Sequence, residues 1–405
     1  MRLTALLMLS WGVVSQLSAQ DTKLNINIHG FIEVDAAQNS RASKSSRNGH
    51  IYLYPLGEDL DNNGNDQNDK SSFDLDAGRS RANITITGPA INNITVMGFI
   101  EADFLGAAPN YDNNLRLRHA YIKMNYNNFT FTAGQTWHPL FIPVYCPKTV
   151  NANVGSPMHP LNRNPQIRIN YKINRQFDIM LALVEQNNFR STGFTNGNDD
   201  AGLPEADLQL QIGGSGKMQA AFTAGYKRLA IPETDESIWS DQPTIDCFHY
   251  EANVLFKQAK YNISAGVLYG DNLTEHVMPG GIGLVAGSNA TAPEYDPMSI
   301  ASCWLDINST SKKWAPGFFA GYLSNLGSSK EITVQSDYSR DPNVKNVLSI
   351  SPRIRYYLTP KASINLEYLY SQAGWGDGTY DLNGIPQNVK NYVNHRTLLA
   401  VKYTF

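Results

Sequence analysis

The sequence lacks long apolar runs and has few charged residues. After its first twenty residues it has no uninterrupted stretch of 18 apolar residues, only 17% of its residues are charged, and its mean hydropathy is −0.34. A transmembrane helix needs about 20 predominantly apolar residues. A helical membrane protein is therefore excluded.

Cysteine is also scarce, with Cys146, Cys247 and Cys303 as the only three in 405 residues. An odd number this small is no disulfide framework, and no pair has the spacing of metal ligands. One bridge, or three incidental thiols, would both fit the sequence.

Signatures of catalysis and of nucleic-acid binding are missing as well. The net charge is −3, and nothing in that balance suggests a nucleic-acid partner. The sequence contains no G-x-S-x-G, H-E-x-x-H or phosphate-binding loop. No predicted strand offers the Ser-His pair that a lipid-hydrolysing barrel would need. We therefore expect a protein that is not an enzyme and has no cofactor, with a barrel lipid hydrolase as the least favoured alternative.

The first twenty residues have the organisation of a secretory signal peptide. Arg2 precedes an apolar core from Ala5 to Val14, and small residues follow at Ser18-Ala19. The apolar core is too short to span a hydrocarbon layer of about 30 Å. We expect residues 1–20 to be removed on export, leaving residues 21–405 as one domain.

Alternation of apolar and polar residues dominates the rest of the chain. A period of two places the two sets on opposite faces of a β-strand. Sixteen predicted strands follow from it, at residues 24–35, 81–87, 94–104, 119–126, 129–134, 166–173, 177–183, 206–212, 218–226, 248–256, 261–269, 301–307, 318–322, 350–356, 362–370 and 399–405.

The connections between these strands alternate strictly between short and long. Two residues, Asn127-Asn128, join one pair of strands, whereas 41 residues, 38–78, join another. Short periplasmic turns, long extracellular loops and an even number of strands are typical of a transmembrane up-and-down antiparallel β-barrel. We therefore predict an all-β barrel of sixteen strands in contact with outer-membrane lipids.

Aromatic residues at strand ends agree with this prediction, because tyrosine and phenylalanine gather at membrane interfaces. Examples are Tyr126, Phe129, Tyr171 and Tyr403. Alternation alone also fits a soluble sheet. A secreted or surface-exposed β-rich protein that binds a glycan or another ligand, through loops such as the one at Trp375-Gly376, therefore remains the alternative.

Four segments resemble the DcaP-like family of outer-membrane porins: SRANITITGP (80–89), IEADFLG (100–106), LRLRHAYIKM (115–124) and FTAGQTWHPLF (131–141). Elsewhere the resemblance is limited to the rhythm of strands and loops and to the terminal Phe405. It implies a trimeric, sixteen-stranded porin that often favours anionic solutes. Some relatives carry an N-terminal coiled coil, but here the first strand is predicted to begin at Leu24. We therefore expect a homotrimer held together by the barrel wall.

Charged residues in the polar sets are the candidate pore lining, because wall charges set the barrier for permeating ions. The basic candidates on the wall are Arg81, His119, Lys123, Arg168, Lys172, Arg353 and Arg355, and the acidic candidates are Glu101 and Asp103. They predict a channel for small hydrophilic solutes.

Arg116 and Arg118 break the alternation of their strand. If Ile122 and Met124 face lipid, strict alternation places both arginines towards lipid too. An arginine there costs about 2–4 kcal/mol at the midplane of the bilayer. Either both arginines lie at the extracellular rim, where the cost is only about 0–1 kcal/mol, or a β-bulge near His119 turns both into the lumen. The opposite alternation of Leu115 and Leu117 favours the bulge.

The segment 138–164 is the third long connection, which we predict to fold into the barrel as a constriction. It holds Lys148 and Arg163, five prolines and no Asp or Glu. Such a lining would attract anions, and His138 and His159 would add positive charge as the pH falls.

Two further sites are weaker hypotheses. Residues 59–69, DLDNNGNDQND, match the start of a calcium loop at Asp59, Asp61 and Asn63, but Lys70 stands where the closing glutamate belongs. We interpret them as a disordered acidic loop tip, with weak Ca²⁺ binding as the alternative. Phe405 ends the last strand and is predicted to act as the signal for assembly into the membrane.

Overall fold

A computed structural model describes residues 24–47, 49–106, 113–193, 196–231, 243–288 and 293–405. The predicted signal peptide, residues 1–20, lies outside the described residues. Within these ranges the regular structure is mainly β-strand, with one four-residue α-helix, α1 (Gly197–Asp200), and one turn of 3-10 helix (Thr274–His276). No helix among the described residues is long and apolar enough to cross a membrane.

The described residues form 21 strands. They are β1 (Asn25–Asn39), β2 (Ser43–Ser46), β3 (Ile51–Pro55), β4 (Ser72–Asp76), β5 (Arg81–Thr87), β6 (Ile94–Asp103), β7 (Arg116–Tyr126), β8 (Phe129–Trp137), β9 (Arg163–Lys172), β10 (Phe177–Val184), β11 (Glu205–Ile212), β12 (Met218–Ala230), β13 (Thr244–Lys257), β14 (Tyr261–Asp271), β15 (Gly280–Val285), β16 (Tyr295–Ser309), β17 (Trp314–Ser328), β18 (Ile332–Arg340), β19 (Val344–Thr359), β20 (Ala362–Trp375) and β21 (Lys390–Thr404).

Sixteen of these strands form a closed antiparallel wall. Each pairs with the next along the chain, and β21 closes the ring by pairing with β1 from Phe31↔Thr404 to Asn39↔Arg396. On its other edge, β1 pairs first with β5 and then with β4, which prolongs the same wall strand. The strands β2, β3, β15 and β18 belong to the long loops. Closure removes the free edges that an open sheet would expose to lipid.

The two faces of the wall differ in polarity as the alternation predicts. On β1, Ile32 and Val34 are 57% and 40% exposed, whereas Glu33 and Asp35 are 2% exposed. The same contrast recurs around the barrel, since large aliphatic and aromatic side chains dominate the outer face. Acids and bases therefore occupy the lumen and apolar residues face the bilayer.

The carboxyl end of the chain is tied to the first wall strand. The Phe405 amide donates to the Gly30 carbonyl at 3.0 Å, and the Gly30 amide donates to Phe405 at 3.3 Å. A Cβ on Gly30 would lie 2.7 Å from a ring carbon of Phe405. Glycine at this position therefore makes room for the terminal ring, which completes an aromatic rim with residues such as Tyr403.

All sixteen strands predicted from the sequence are confirmed as wall strands. The predicted ends are too short on the side of the long loops, where β19 begins at Val344 and β21 at Lys390. In these outer parts of the strands, apolar and polar residues no longer alternate regularly, so the pattern does not mark the strand ends. The three cysteines are free thiols.

The prediction of a disordered tip at residues 59–69 is wrong. Leu60 bridges Asp66, and the Asp61 carboxylate accepts hydrogen bonds from the amides of Asn63 and Asn65 at 2.8 and 2.9 Å. The bond from the Asn65 backbone is the chief reason that the pKa of Asp61 lies below its usual value. The Asp61 carboxylate therefore stabilises the turn. Weak Ca²⁺ binding at Asp59, Asp61 and Asn63 stays an untested prediction.

Candidate functional site

The segment between β8 and β9, residues 138–162, lies inside the barrel; we call it the inward segment. Its carbonyl groups accept hydrogen bonds from wall strands that lie far apart around the ring. Gln209 of β11 donates to the Pro139 carbonyl, and Ser302 of β16 to the Met158 carbonyl, each at 2.8 Å. The predicted range of 138–164 ends two residues too late, because Arg163 and Asn164 already belong to β9.

Apolar contacts fix the inward segment against one side of the lumen. Leu140, Ile142, Tyr145 and Met158 pack in one buried cluster with wall residues such as Phe319. Apolar burial contributes about 25 cal/mol per Å², and the five prolines limit the conformations open to the free segment. The inward segment is therefore a fixed part of the lumen.

Polar contacts hold the middle of the inward segment on the last three wall strands, β19, β20 and β21. The Val150 amide donates to Glu367, and Asn151 Nδ2 donates to the same carboxylate at 2.6 Å. Arg396 Nε donates to Asn151 Oδ1 at 3.0 Å. Arg355 donates to the Thr149 carbonyl at 3.0 Å. Because β11, which contacts Pro139, lies far from β21 in the ring of strands, the segment crosses the lumen.

Beside the inward segment lies a cavity of about 760 Å³ whose charged lining is nearly all basic. Glu33 is the single acidic residue among the described lining residues. The ten basic residues are Arg47, Arg79, Arg81, Arg116, Arg118, Lys148, Arg163, Arg355, Lys361 and Lys402.

Arg116 and Arg118 both turn into the lumen, as the sequence favoured. The pairing of β6 with β7 shifts between Glu101↔His119 and Ala102↔Leu117, so Arg118 is the extra residue of a β-bulge. Arg116 lies 2.7 Å from Asp103, and Arg118 lies 2.7 Å from Glu101 and 2.8 Å from Asp103. The predicted bulge near His119 is confirmed.

A break in the wall places Arg79 in the lumen, which the sequence reasoning missed. Residues 77–80 separate β4 from β5, and Arg79 reaches inward to Asp35 at 3.1 Å and Glu33 at 3.2 Å. It also donates to the Val150 carbonyl at 2.8 Å. Lys402 lies 3.0 Å from the same Glu33. Regular alternation could have found Glu33 and Lys402, but not an arginine at a strand break.

Other lining bases have no carboxylate partner among the described residues. Arg47, Lys148, Arg163, Arg355 and Lys361 form no ion pair there. Backbone carbonyl groups satisfy several of them, as where Lys148 Nζ donates to Pro143 at 3.0 Å. Their charges therefore remain uncompensated at the edge of the cavity.

Aromatic rings hold the arginines in place without neutralising them. The Arg163 guanidinium lies 4.7 Å from the centre of the Trp137 ring and 5.5 Å from that of Phe189. Arg47 covers the same Phe189 at 5.1 Å, and Arg118 lies 5.7 Å from Trp137. A cation over a ring face gains about 0.5–2 kcal/mol and keeps its full charge. Like charges are thereby kept close together.

Of the thirteen residues predicted to line the pore, six line this cavity: Arg81, Arg116, Arg118, Lys148, Arg163 and Arg355. Glu101 and Asp103 lie behind the arginines that they pair with.

The other five predicted residues lie outside the cavity lining. Arg353 forms a buried ion pair with Asp306 at 2.7 Å. His119 packs on Trp137, with ring centres 5.1 Å apart. Arg168 donates to the Trp137 carbonyl at 2.8 Å. Lys123 is half-buried beside Tyr121, and Lys172 is exposed at the last position of β9, next to a short turn.

The expectation that His159 gains charge in mildly acidic solution is wrong. Its imidazole is 1% exposed and packs between Phe141 and Trp304. Burial, reinforced by the charge of Lys148, lowers the pKa of His159 to about 3. The side chain is therefore neutral throughout the range in which an exposed histidine titrates. His138 is also buried, with Nε2 2.8 Å from Glu205 Oε1.

Comparison with known protein families confirms the resemblance found in the sequence. The family described as DcaP outer membrane protein matches residues 12–198. No curated protein matches the chain.

Solved outer-membrane proteins share the fold at low sequence identity. The outer membrane channel DcaP of Acinetobacter baumannii is 16% identical, with a TM-score of 0.69 over 94% of this chain and 97% of that chain. An anion-selective porin from Comamonas acidovorans is 8% identical, with a TM-score of 0.58 over 95% of this chain and 100% of that chain. The trimer form of OmpT from Vibrio cholerae is 11% identical, with a TM-score of 0.54 over 94% and 99%. The fold is that of an outer-membrane porin.

Proposed function

For this outer-membrane barrel, whose residues 12–198 match the DcaP outer membrane protein family, we propose passive diffusion of small hydrophilic solutes with a preference for anions. The inward segment is the constriction, and the cavity beside it is the selective part of the path. A soluble binding protein is not favoured, because the outer face of the wall is apolar.

The observation that carries the proposal is the charge of the cavity. Ten bases and one acid line it, and five of the bases form no ion pair among the described residues. A unit charge about 4 Å from a permeating ion is worth about 1 kcal/mol in water, before screening by salt. Several such charges raise the local anion concentration severalfold. The anion-selective Comamonas porin of the same fold gives independent support.

Conductance in a planar lipid bilayer tests both parts of the proposal. The purified protein should open channels, and in a KCl gradient the reversal potential should have the sign of a chloride-preferring pore. Absence of channels contradicts the porin function. Channels with a cation preference contradict the selectivity alone.

We also propose that three copies assemble through their barrel walls. Support comes from the apolar outer face and from the trimer form of the Vibrio protein with the same fold. Light scattering of the detergent complex, corrected for bound detergent, should give three times the mass of one chain. A mass of one chain contradicts the trimer and leaves the channel proposal standing.

Phe405 is proposed to act in assembly, in keeping with its place on the closing strand beside Gly30. Deletion of Phe405 should lower the amount of folded barrel in the outer membrane, measured by the change in gel migration on heating. Substitution by Tyr, which keeps a terminal ring, serves as the control. Equal yields for the deletion and the control would contradict this role.

A further inference from the structure

A second polar cluster in the barrel is sealed from the cationic cavity. It consists of the imidazoles of His138, His249 and His276 and the carboxylates of Glu205 and Asp207. Every one of these side chains is at most 1% exposed. Neither the porin fold nor the proposed selectivity requires such a group, because it does not line the cavity.

Strand register brings the wall members of the cluster together. Glu205 and Asp207 lie two residues apart on β11 and so share a face. Asp207 is opposite Gly225 of β12, which is opposite His249 of β13. A Cβ on Gly225 would lie 2.0 Å from His249 Nε2 and 2.4 Å from Asp207 Oδ1. The glycine thus opens the space in which an imidazole and a carboxylate meet across a full strand.

The distances between potential ligand atoms suit a small metal ion. His138 Nε2 lies 2.8 Å from Glu205 and 3.7 Å from Asp207. His249 Nε2 lies 2.7 Å from Asp207 and 3.8 Å from Glu205. A tetrahedral ion with metal–ligand bonds of about 2.0–2.1 Å has ligands about 3.4 Å apart. Glu205, Asp207 and His249 offer ligand atoms that lie within 4.8 Å of one another, as do His138, Glu205 and His276, and Glu205 belongs to both groups.

The charge of the cluster calls for a cation. Glu205 and Asp207 bring two negative charges into a site without solvent, and the nearest ammonium, Lys227, is engaged by Glu275. Buried carboxylates are costly unless they are compensated. Two imidazolium protons or one divalent ion would supply the missing charge.

Unsatisfied polar atoms point inward at the same place. Glu205 Oε2, Asp207 Oδ2 and His276 Nδ1 are buried and have no hydrogen-bond partner among the described residues, whereas His276 Nε2 lies 3.3 Å from Glu275 Oε1. A buried polar atom that is left without a partner destabilises the folded protein. A bound ion would use the carboxylate oxygens directly, and His276 would stand ready as a fifth ligand.

We propose that His138, Glu205, Asp207 and His249 bind one divalent transition-metal ion of the Zn²⁺ type. Mixed imidazole and carboxylate ligands favour such an ion over Ca²⁺ or Mg²⁺, which take oxygen ligands. His138 opens the inward segment, whereas the other three ligands belong to the wall. The ion therefore fastens the constriction to β11 and β13, independently of the anion preference.

Metal titration of the purified barrel tests the proposal. Protein stripped with a chelator should take up one Zn²⁺ per chain, measured by elemental analysis after gel filtration. Asp207→Asn and His249→Gln should each weaken binding by about tenfold or more. His159→Gln, which changes a buried histidine of the inward segment outside the cluster, should leave binding unchanged. Absence of saturable uptake, or equal loss in all three variants, overturns the proposal.

A spectroscopic measurement keeps the test decisive if a variant fails to fold. Co²⁺ added to the stripped wild-type protein should give the intense visible absorption of a tetrahedral site with nitrogen and oxygen ligands, and Zn²⁺ should displace it. A spectrum like that of hydrated Co²⁺ overturns the proposal, and imidazolium protons then balance Glu205 and Asp207.

Discussion

The cationic cavity and the buried histidine–carboxylate cluster lie in the same barrel but differ in how their charges are balanced. The cavity holds bases without carboxylate partners among the described residues, whereas the cluster holds carboxylates that are sealed from solvent. In the cavity, the Phe189 ring and the Gly106 carbonyl hold Arg47, and the Pro143 carbonyl holds Lys148, so neither base is neutralised by a carboxylate of the described residues. In the cluster, Glu205 and Asp207 are sealed from solvent. Charge that faces the solute path can be left uncompensated, since water and permeating ions solvate it. Sealed charge must be balanced inside the protein.

The largest effect is expected when a compensating charge is removed from the sealed region. Lys227 is fully buried, in an ion pair with Glu275 and donating to the Asn272 carbonyl at 2.7 Å. Lys227→Met should lower the free energy of unfolding by about 3–5 kcal/mol, because it removes the ammonium from a buried ion pair. Urea titration of the barrel in micelles, followed by the heat-dependent gel shift, measures the loss.

The double variant Lys227→Met with Glu275→Gln is the control for this prediction. It removes both charges and should recover a large part of the lost stability. If the single variant is as stable as the wild type, sealed charge in this barrel does not need an internal partner.

A smaller loss of stability is expected from deletions in the β7 bulge, which distinguish the effect of the bulge from that of the Arg118 charge. Deletion of Arg118 removes the extra residue and leaves Leu117 outward and Arg116 inward, so we expect a folded barrel. Deletion of Leu117 also removes the bulge, but it turns Arg118 towards lipid, which costs up to about 2–4 kcal/mol. The Leu117 deletion should therefore unfold at lower urea. The reverse order would contradict the register described for β7.

The smallest expected effect concerns pH. Burial lowers the pKa of His159 to about 3, so the folded state binds fewer protons there than the unfolded chain. Its contribution to stability is present above the unfolded pKa of about 6.5 and declines as the pH falls from there to about 3. Its charge at pH 7.5 and at pH 5.5 is the same in the folded barrel.

His159→Asn should therefore change the reversal potential between pH 7.5 and pH 5.5 no differently from the wild type. Bilayer recording at both pH values measures this. A pH-dependent shift that disappears in the variant would contradict a neutral, sealed His159.

The sequence predicted the wall and half of the site, and the reasons for the rest are physical. Alternation identified all sixteen strands, because lipid and lumen impose a period of two. It could not find Arg79, which reaches the lumen from a break in the wall at residues 77–80. Nor could it assemble the cluster of His138, Glu205 and His249, which are distant in the chain and meet only through strand register. Bulges, breaks and register are properties of the closed sheet.

We propose that uncompensated bases, and not charged residues in general, set the selectivity. The decisive measurement compares reversal potentials in a KCl gradient for two double variants that each change two charged residues of the barrel interior. Lys148→Gln with Arg355→Gln removes two bases that have no ion pair, and Arg353→Gln with Asp306→Asn removes one complete pair. We predict that the first lowers the chloride-to-potassium permeability ratio by roughly two- to fivefold, and that the second leaves it unchanged. An unchanged ratio in the first variant, or an equal loss in both, would contradict the account.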